Sequence, residues 1–311
     1  MIRPVTIVGA PSSIGIRPYD DGGVRRLDLA PAALREQGLV ERLAARDAGD
    51  VVPPAYEDLV RPEGRPRNEA GVAAYSRALA DRVSAAAEDG AFMLILGGDC
   101  SIVLGCLLGL KRSGRGPVGL VYVDAHADYA TPQESRTGSA ASMCLALAVG
   151  RGDTPLARLD GPIPLVHAED VVVIGRRVHA EEAIYGEGAL RDSGALDLAE
   201  DAVRRRGLGN VASVTLERLT RPGMAGFWIH LDADVFDPRV IPAVDSPETG
   251  GFGLEEMAQL LTPLVRHPLA LGLELTIYDP ALDPDRTSAA RLASMLDSIL
   301  CAENRPPLGR S

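Results

Sequence analysis

Short aliphatic and β-branched runs recur along the chain, each bordered by a longer stretch whose apolar residues return every three or four positions. VTIVG (5–9) precedes the helix-like LAPAALREQGLVERLAAR (29–46), and NEAGVAAYSRALADRVSAAAED (68–89) precedes AFMLILGG (91–98). The alternation continues through VGLVYV (118–123), VVVIG (171–175), GFWIHL (226–231) and LALGLEL (269–275), with helical patterns near Leu254 to Val265 and Ser288 to Leu300. Short apolar runs without internal alternation are strands covered on both faces, and strands separated by helix-length segments form βαβ units. The pattern predicts an α/β fold: a mostly parallel sheet with helices on both faces, in three αβα layers. No internal repeat, linker or low-complexity block interrupts it, so residues 1–311 read as a single domain, with the Pro-rich VVPPAYEDLVRPEGRPR (51–67) and DGPIPLVH (160–167) as surface loops.

Composition narrows the class without changing the fold. Hydrophobic residues make up 46% of the 311 and charged residues 24%, as in globular proteins that stay in solution. The formal charge of -11 disfavours nucleic acid and anionic membrane surfaces, because phosphate would be repelled and no Lys/Arg cluster offsets this. A small-molecule substrate is the expected partner. No stretch reaches the roughly 20 apolar residues a spanning helix needs, and the opening MIRPVTIVGAPSS has too short an apolar run for a secretory signal. Cys100, Cys106, Cys144 and Cys301 form no CxxC pair, which argues against a disulfide framework and for a reducing cytoplasm.

Three strings carry candidate chemistry. GGDCS (97–101) follows the apolar run ending at Leu96, where a buried strand would open into a tight turn, and open α/β sheets place their sites at such strand ends. In DAHAD (124–128), Asp124, His126 and Asp128 alternate with alanines, so an extended backbone would point all three polar side chains the same way. Asp232 and Asp234 in HLDADVFDP (230–238) share a face after another strand, and His230 has the same parity two residues earlier. Four carboxylates converging in a low-dielectric pocket repel one another, and bound divalent cations are the usual remedy. Two cations would balance four carboxylates.

In this order and at these separations the strings resemble the metal-binding motifs of the arginase/agmatinase (ureohydrolase) superfamily, whose usual forms are GGDHS, DAHxD and SxDxDxxDP. LAPAALREQGLVERL is similar to that family's first helix and IPAVDSPETGGFGLEEM (241–257) to its loop after the third motif. The resemblance implies an arginase-like sheet of about eight strands, an assembly as homo-trimer or hexamer, and two metal ions per chain, usually manganese. It implies that Asp124 and Asp232 bridge both ions, that Cys100 and Asp128 complete the first shell, and that His126 and Asp234 complete the second. A water shared by the ions would attack a planar guanidinium carbon, giving an amine plus urea, with Asp128 as proton carrier and His126 beside it. His230 would orient a ligand or act as a spare one, or be a hydrogen-bonded core histidine.

Three departures bear on substrate. Cys100 stands where the family has histidine; a thiolate is soft, so another divalent metal than manganese becomes possible. It could ligate, sit close without ligating, or merely pack; members of the superfamily that carry this cysteine include a hydrolase acting on hydroxylated arginine, which favours ligation. Where the family places a guanidinium-gripping glutamate, the aligned ELTIYDP (274–280) has Ile277, which cannot accept a hydrogen bond. Asp279, two residues on, could substitute or simply start a turn. The loop that reads like NTPxxTxSGNxH in arginase is here ATPQESRTGSAASM (130–143), with Ala130 and Ala141 in place of asparagine and histidine and with Thr137 retaining a hydroxyl. Ser246 occupies a further hydroxyl position. Arg176 and Arg177 could meet a substrate carboxylate or be a solvated pair, His179 could lie at the pocket rim, and His167 and His267 read as exposed.

The leading expectation is a binuclear hydrolase of a guanidine or modified guanidine, releasing urea or a substituted urea such as hydroxyurea. Two alternatives stand beside it: hydrolysis of a formimino or amide group, and a non-catalytic homologue acting as a partner subunit.

Overall fold

The computed structural model describes residues 3–57, 61–177 and 186–301. Eight strands form one sheet: β1 (Val5–Gly9), β2 (Arg46–Asp50), β3 (Phe92–Leu96), β4 (Val118–Val123), β5 (Val171–Ile174), β6 (Leu196–Leu198), β7 (Gly226–Asp232) and β8 (Ala270–Thr276). Their order is β2-β1-β3-β8-β7-β4-β5-β6, and every pair is parallel. Helices flank the sheet, and the central strands β3, β4 and β7 are buried along their whole length because both faces are covered.

The sequence pattern located the interior strands and missed the two edges. Edge strand β2 is RDAGD, mostly exposed and too polar to read as a strand, and β6 at the other edge is only three residues long. The helix expected over 29–46 is broken: Ala30–Arg35 and Leu39–Arg42 are separated at Gly38, whose φ of 70° ends the first helix. The expected helices at 68–89, 254–265 and 288–300 form as Glu69–Glu88, Leu254–Val265 and Thr287–Leu300.

Because all strands run the same way, their carboxyl ends share one edge of the sheet. The four adjacent central strands β3, β8, β7 and β4 therefore deliver their following loops side by side. Those loops begin at Gly97, Ile277, Ala233 and Asp124, so three motifs scattered over residues 97–238 meet by topology alone.

Candidate metal centre

The turn after β3 is built around Asp99. Its buried carboxylate accepts hydrogen bonds from Ser12 Oγ (2.8 Å), Gly15 N (3.0 Å), Ser101 N (3.0 Å) and Ser101 Oγ (2.5 Å), tying the loop after β1 to the helix that starts at Ile102. Gly98 permits this approach, since a Cβ there would lie 2.1 Å from the Ser12 carbonyl oxygen. The turn aims Cys100 at β7, where its Sγ lies 2.7 Å from Asp232 Oδ2 and 3.7 Å from Thr276 Oγ1.

DAHAD is not a strand continuation. β4 stops at Val123 and Asp128 adopts φ 47°, so the expected alternation of three like-facing side chains does not hold. A turn does the converging instead: Asp124 Oδ1 accepts from His126 N at 2.6 Å, which folds His126 back until its Nδ1 is 3.0 Å from Asp234 Oδ2. Asp232 likewise caps the short turn Ala233–Val235 by accepting from Asp234 N at 2.8 Å, and Asp234 Oδ1 accepts from Ala125 N at 3.2 Å. Arg177 anchors the same segment from behind, donating to the carbonyls of Asp234 and Phe236.

Two groups of buried donors result. Cys100, Asp124, His230 and Asp232 form one, and Asp124, His126 and Asp234 the other; within each, the ligand atoms lie within 4.8 Å of one another. Asp124 belongs to both. Asp128 belongs to neither: its Oδ2 accepts from the Tyr122 hydroxyl at 2.6 Å, with the Cys144 thiol at 3.7 Å.

The electrostatics express the crowding. Burial pushes the Asp232 and Asp234 carboxyls up, and the neighbouring carboxylates push Asp232 further. Asp128 is raised to about 8 by burial first and the Asp124 charge second. Burial also raises Asp124, but His126 and His230 beside it outweigh that and hold it at about 2. Burial disfavours a charged His230, yet Asp124 and Glu274 overcome it and bring the imidazole to about 9. The Cys100 thiol is driven up by burial and by Asp232. Asp124 Oδ2 and His230 Nε2 are both buried and lack a hydrogen-bond partner, 3.8 Å apart. Orphaned polar atoms of this kind are costly. A divalent cation would satisfy both, so this donor set fits a metal.

A cavity of about 260 Å³ opens onto the groups, and its walls include His126, Asp128, Thr137, Ser246 and Ile277. Thr137 Oγ1 lies 3.4 Å from Ser142 Oγ, and Ser246 is exposed at the mouth. Asp279 is turned away: one carboxylate oxygen accepts from Ala281 N and the other from Arg26 N, the turn-starting arrangement. Arg176 and Arg177 are buried, not a solvated pair, and both carry structural duties; Arg176 pairs with Asp197 of β6. His167 is exposed, His267 is half-buried, and His179 lies outside the described residues. Sequence reading overlooked Asp99, whose place inside GGDCS was its signal, and Glu248, whose Oε1 lies 3.4 Å from His126 Nε2 and which nothing local singles out in SPETGG.

A family model described as the arginase family matches residues 3–301. Arginase of Bacillus caldovelox is 30% identical over 307 residues, covering 96% of this chain and 98% of that protein. Arginase of Bacillus subtilis (strain 168) is 29% identical over 306 residues with the same coverage of each. The native structure of the Bacillus caldovelox arginase at pH 5.6 superposes with a TM-score of 0.86 at 29% identity, covering 97% of this chain and 99% of that one.

Proposed function

The chain belongs to the arginase family, and from that premise we propose that it is a binuclear metal-dependent hydrolase acting on a guanidine or modified guanidine. The products would be an amine plus urea, or a substituted urea such as hydroxyurea. The observation that carries this reading is the pair of buried donor groups sharing Asp124 at the floor of a cavity. These residues would hold divalent ions, whose chemistry there would be Lewis acidity toward a water and a planar carbon.

The chain's own residues do the rest. Asp128, fixed by the Tyr122 hydroxyl and lining the cavity, is placed to take a proton and pass it to the leaving amine. His126, set between Asp234 and Glu248, is the second group able to hold a proton at the cavity floor. Thr137 and Ser246 offer hydroxyls to the polar end of a substrate. Ile277 presents hydrocarbon to the reacting group, and Ala141 closes the wall where arginase resemblance calls for histidine, so plain L-arginine is a poorer fit than a modified guanidine.

The uninterrupted strand-helix alternation supports one domain over residues 1–311, the resemblance supports a homo-trimer or hexamer, and the cysteines without a CxxC pair support a reducing, cytoplasmic setting. Among the described residues no helix is long and apolar enough to cross a membrane.

The deciding experiment is a screen of guanidines, hydroxyguanidines, formimino compounds and amides with protein reconstituted in manganese, zinc or both. Metal-dependent urea or hydroxyurea supports the proposal. Ammonia or formamide without urea would move the reaction to the formimino or amide class, a reading that Ile277 at the cavity wall favours. No product from any class, with metal bound, would leave the partner-subunit reading.

A further inference from the structure

Resting on the binuclear reading above, we propose that the two metal positions are chemically unequal: Cys100, His230, Asp124 and Asp232 form a thiolate-imidazole-carboxylate site for a zinc-type ion, with Glu274 as the positioning residue for His230. The other position, Asp124, His126 and Asp234, offers only imidazole and carboxylate and takes a harder ion such as manganese. This departs from the ligand set that the ureohydrolase resemblance implies, in which Asp128 completes the first shell.

The sheet register builds the site. Tyr122, His230 and Glu274 are paired across β4, β7 and β8, so they form one row beneath the strand ends. The Tyr122 ring stacks on His230 with centroids 4.3 Å apart and planes within 8°. Glu274 Oε1 lies 2.7 Å from His230 Nδ1, so Nδ1–H donates to the carboxylate and Nε2 is the nitrogen that faces Asp124 and would serve as the ligand atom. A metal-bound histidine is commonly held this way, by a carboxylate on its other nitrogen. Nε2 is fully buried, unpartnered and 3.8 Å from the equally unpartnered Asp124 Oδ2, a separation that suits two donors each about 2.0–2.2 Å from one ion.

The same tyrosine occupies one oxygen of Asp128, which belongs to neither donor group. Its hydroxyl donates to Asp128 Oδ2, and the left-handed backbone at Asp128 turns the residue away from the path its neighbours follow. Two sequence departures then read as one exchange. The imidazole absent at Cys100 reappears at His230, where the family motif has serine, and together they replace a histidine-carboxylate shell with a softer cysteine-histidine one. The 2.7 Å contact between Cys100 Sγ and Asp232 Oδ2 puts sulfur and oxygen side by side, where one ion can replace the shared proton.

The test uses the full-length apoprotein titrated with cobalt(II) as a spectroscopic probe, then with zinc and manganese in competition. One equivalent should produce a near-ultraviolet sulfur-to-cobalt charge-transfer band and the intense visible bands of a four-coordinate ion, and zinc should displace it while manganese should not. Cys100→Ser should abolish the charge-transfer band. Glu274→Gln should keep the band and weaken that equivalent about 10–100-fold. His230→Gln should weaken it further, and Asp128→Asn should leave its affinity and spectrum unchanged. Near-ultraviolet circular dichroism checks folding; if His230→Gln does not fold, Glu274→Gln and Asp128→Asn still decide. A folded apoprotein that binds cobalt without a sulfur band overturns the proposal. So does an Asp128→Asn protein that loses the first equivalent, or a Glu274→Gln protein that binds as the parent does. These readouts involve no turnover, so a chain that hydrolyses no guanidine yet shows them would sink the proposed function and leave the metal assignment standing.

Discussion

Under the proposed function, Ile277 is the residue on which substrate preference would turn. It adopts φ 65°, a left-handed conformation that costs a β-branched residue roughly 1–3 kcal/mol, and it is held there by donating its N–H to Gly98 O at 2.9 Å. The strained backbone commits the side chain to the cavity wall, so replacing it changes the chemistry facing the substrate rather than the turn. Ile277→Glu would add a carboxylate able to grip an unmodified guanidinium through paired hydrogen bonds. Such charge-assisted bonds contribute about 1.5–3 kcal/mol, so kcat/KM for a plain guanidine relative to a modified one should rise about 10–100-fold. Steady-state kinetics on both substrates gives the ratio; a ratio that stays level or falls would show that position 277 does not face the reacting group.

The turn after β3 shows how one element supports the site without touching a ligand. Asp99 collects four donors in a buried setting, two of them backbone N–H groups. In Asp99→Ala those groups lose their acceptor, at about 1–3 kcal/mol for each one left unsatisfied, so unfolding stability should drop by roughly 2–5 kcal/mol. The urea midpoint at unchanged slope measures this, and a loss under about 1 kcal/mol would mean the loops hold together by packing instead. Elements were legible in the sequence where burial dictated composition. FMLIL, VGLVYV and GFWIHL could only be interior strands, and the motif aspartates fell where those strands end. RDAGD was illegible because an edge strand hydrogen-bonded to one neighbour needs no apolar face, and the break at Gly38 hid inside a continuous helical pattern. At the site, parity in β7 correctly set His230 beside Asp232, whereas the geometry of 124–128 depends on a turn that periodicity does not encode. Glu274 was out of reach for another reason: its meeting with His230 depends on β8 lying next to β7, a neighbour relation that a single sequence does not state.

For the whole molecule, the site is a concentrated charge problem inside a chain that already carries a net charge of -11. Asp124, Asp128, Asp232 and Asp234 are all buried at the same end of the sheet, with His126 and His230 the imidazoles set among them. Without metal, the fold keeps these carboxylates together by setting His126 and His230 beside them, by raising Asp128, Asp232 and Asp234 toward the protonated form and by leaving atoms such as Asp124 Oδ2 without a hydrogen-bond partner. The unfolded chain solvates each group separately and has no formed site, so a metal that fits these donors would bind the native state alone and stabilise it by mass action. At a free concentration a hundred times Kd each site adds about 2.7 kcal/mol. For a chain of this length that corresponds to a rise in Tm of about 4 °C per site. Chelator-stripped protein should therefore melt roughly 8 °C below protein with both sites filled, and Asp124→Asn, which damages both groups at once, should show almost none of this metal-dependent shift. Differential scanning calorimetry at matched ionic strength separates specific binding from screening, since magnesium at the same ionic strength should reproduce little of the effect. Equal melting temperatures with and without zinc and manganese would mean that these carboxylates meet for a reason other than holding cations.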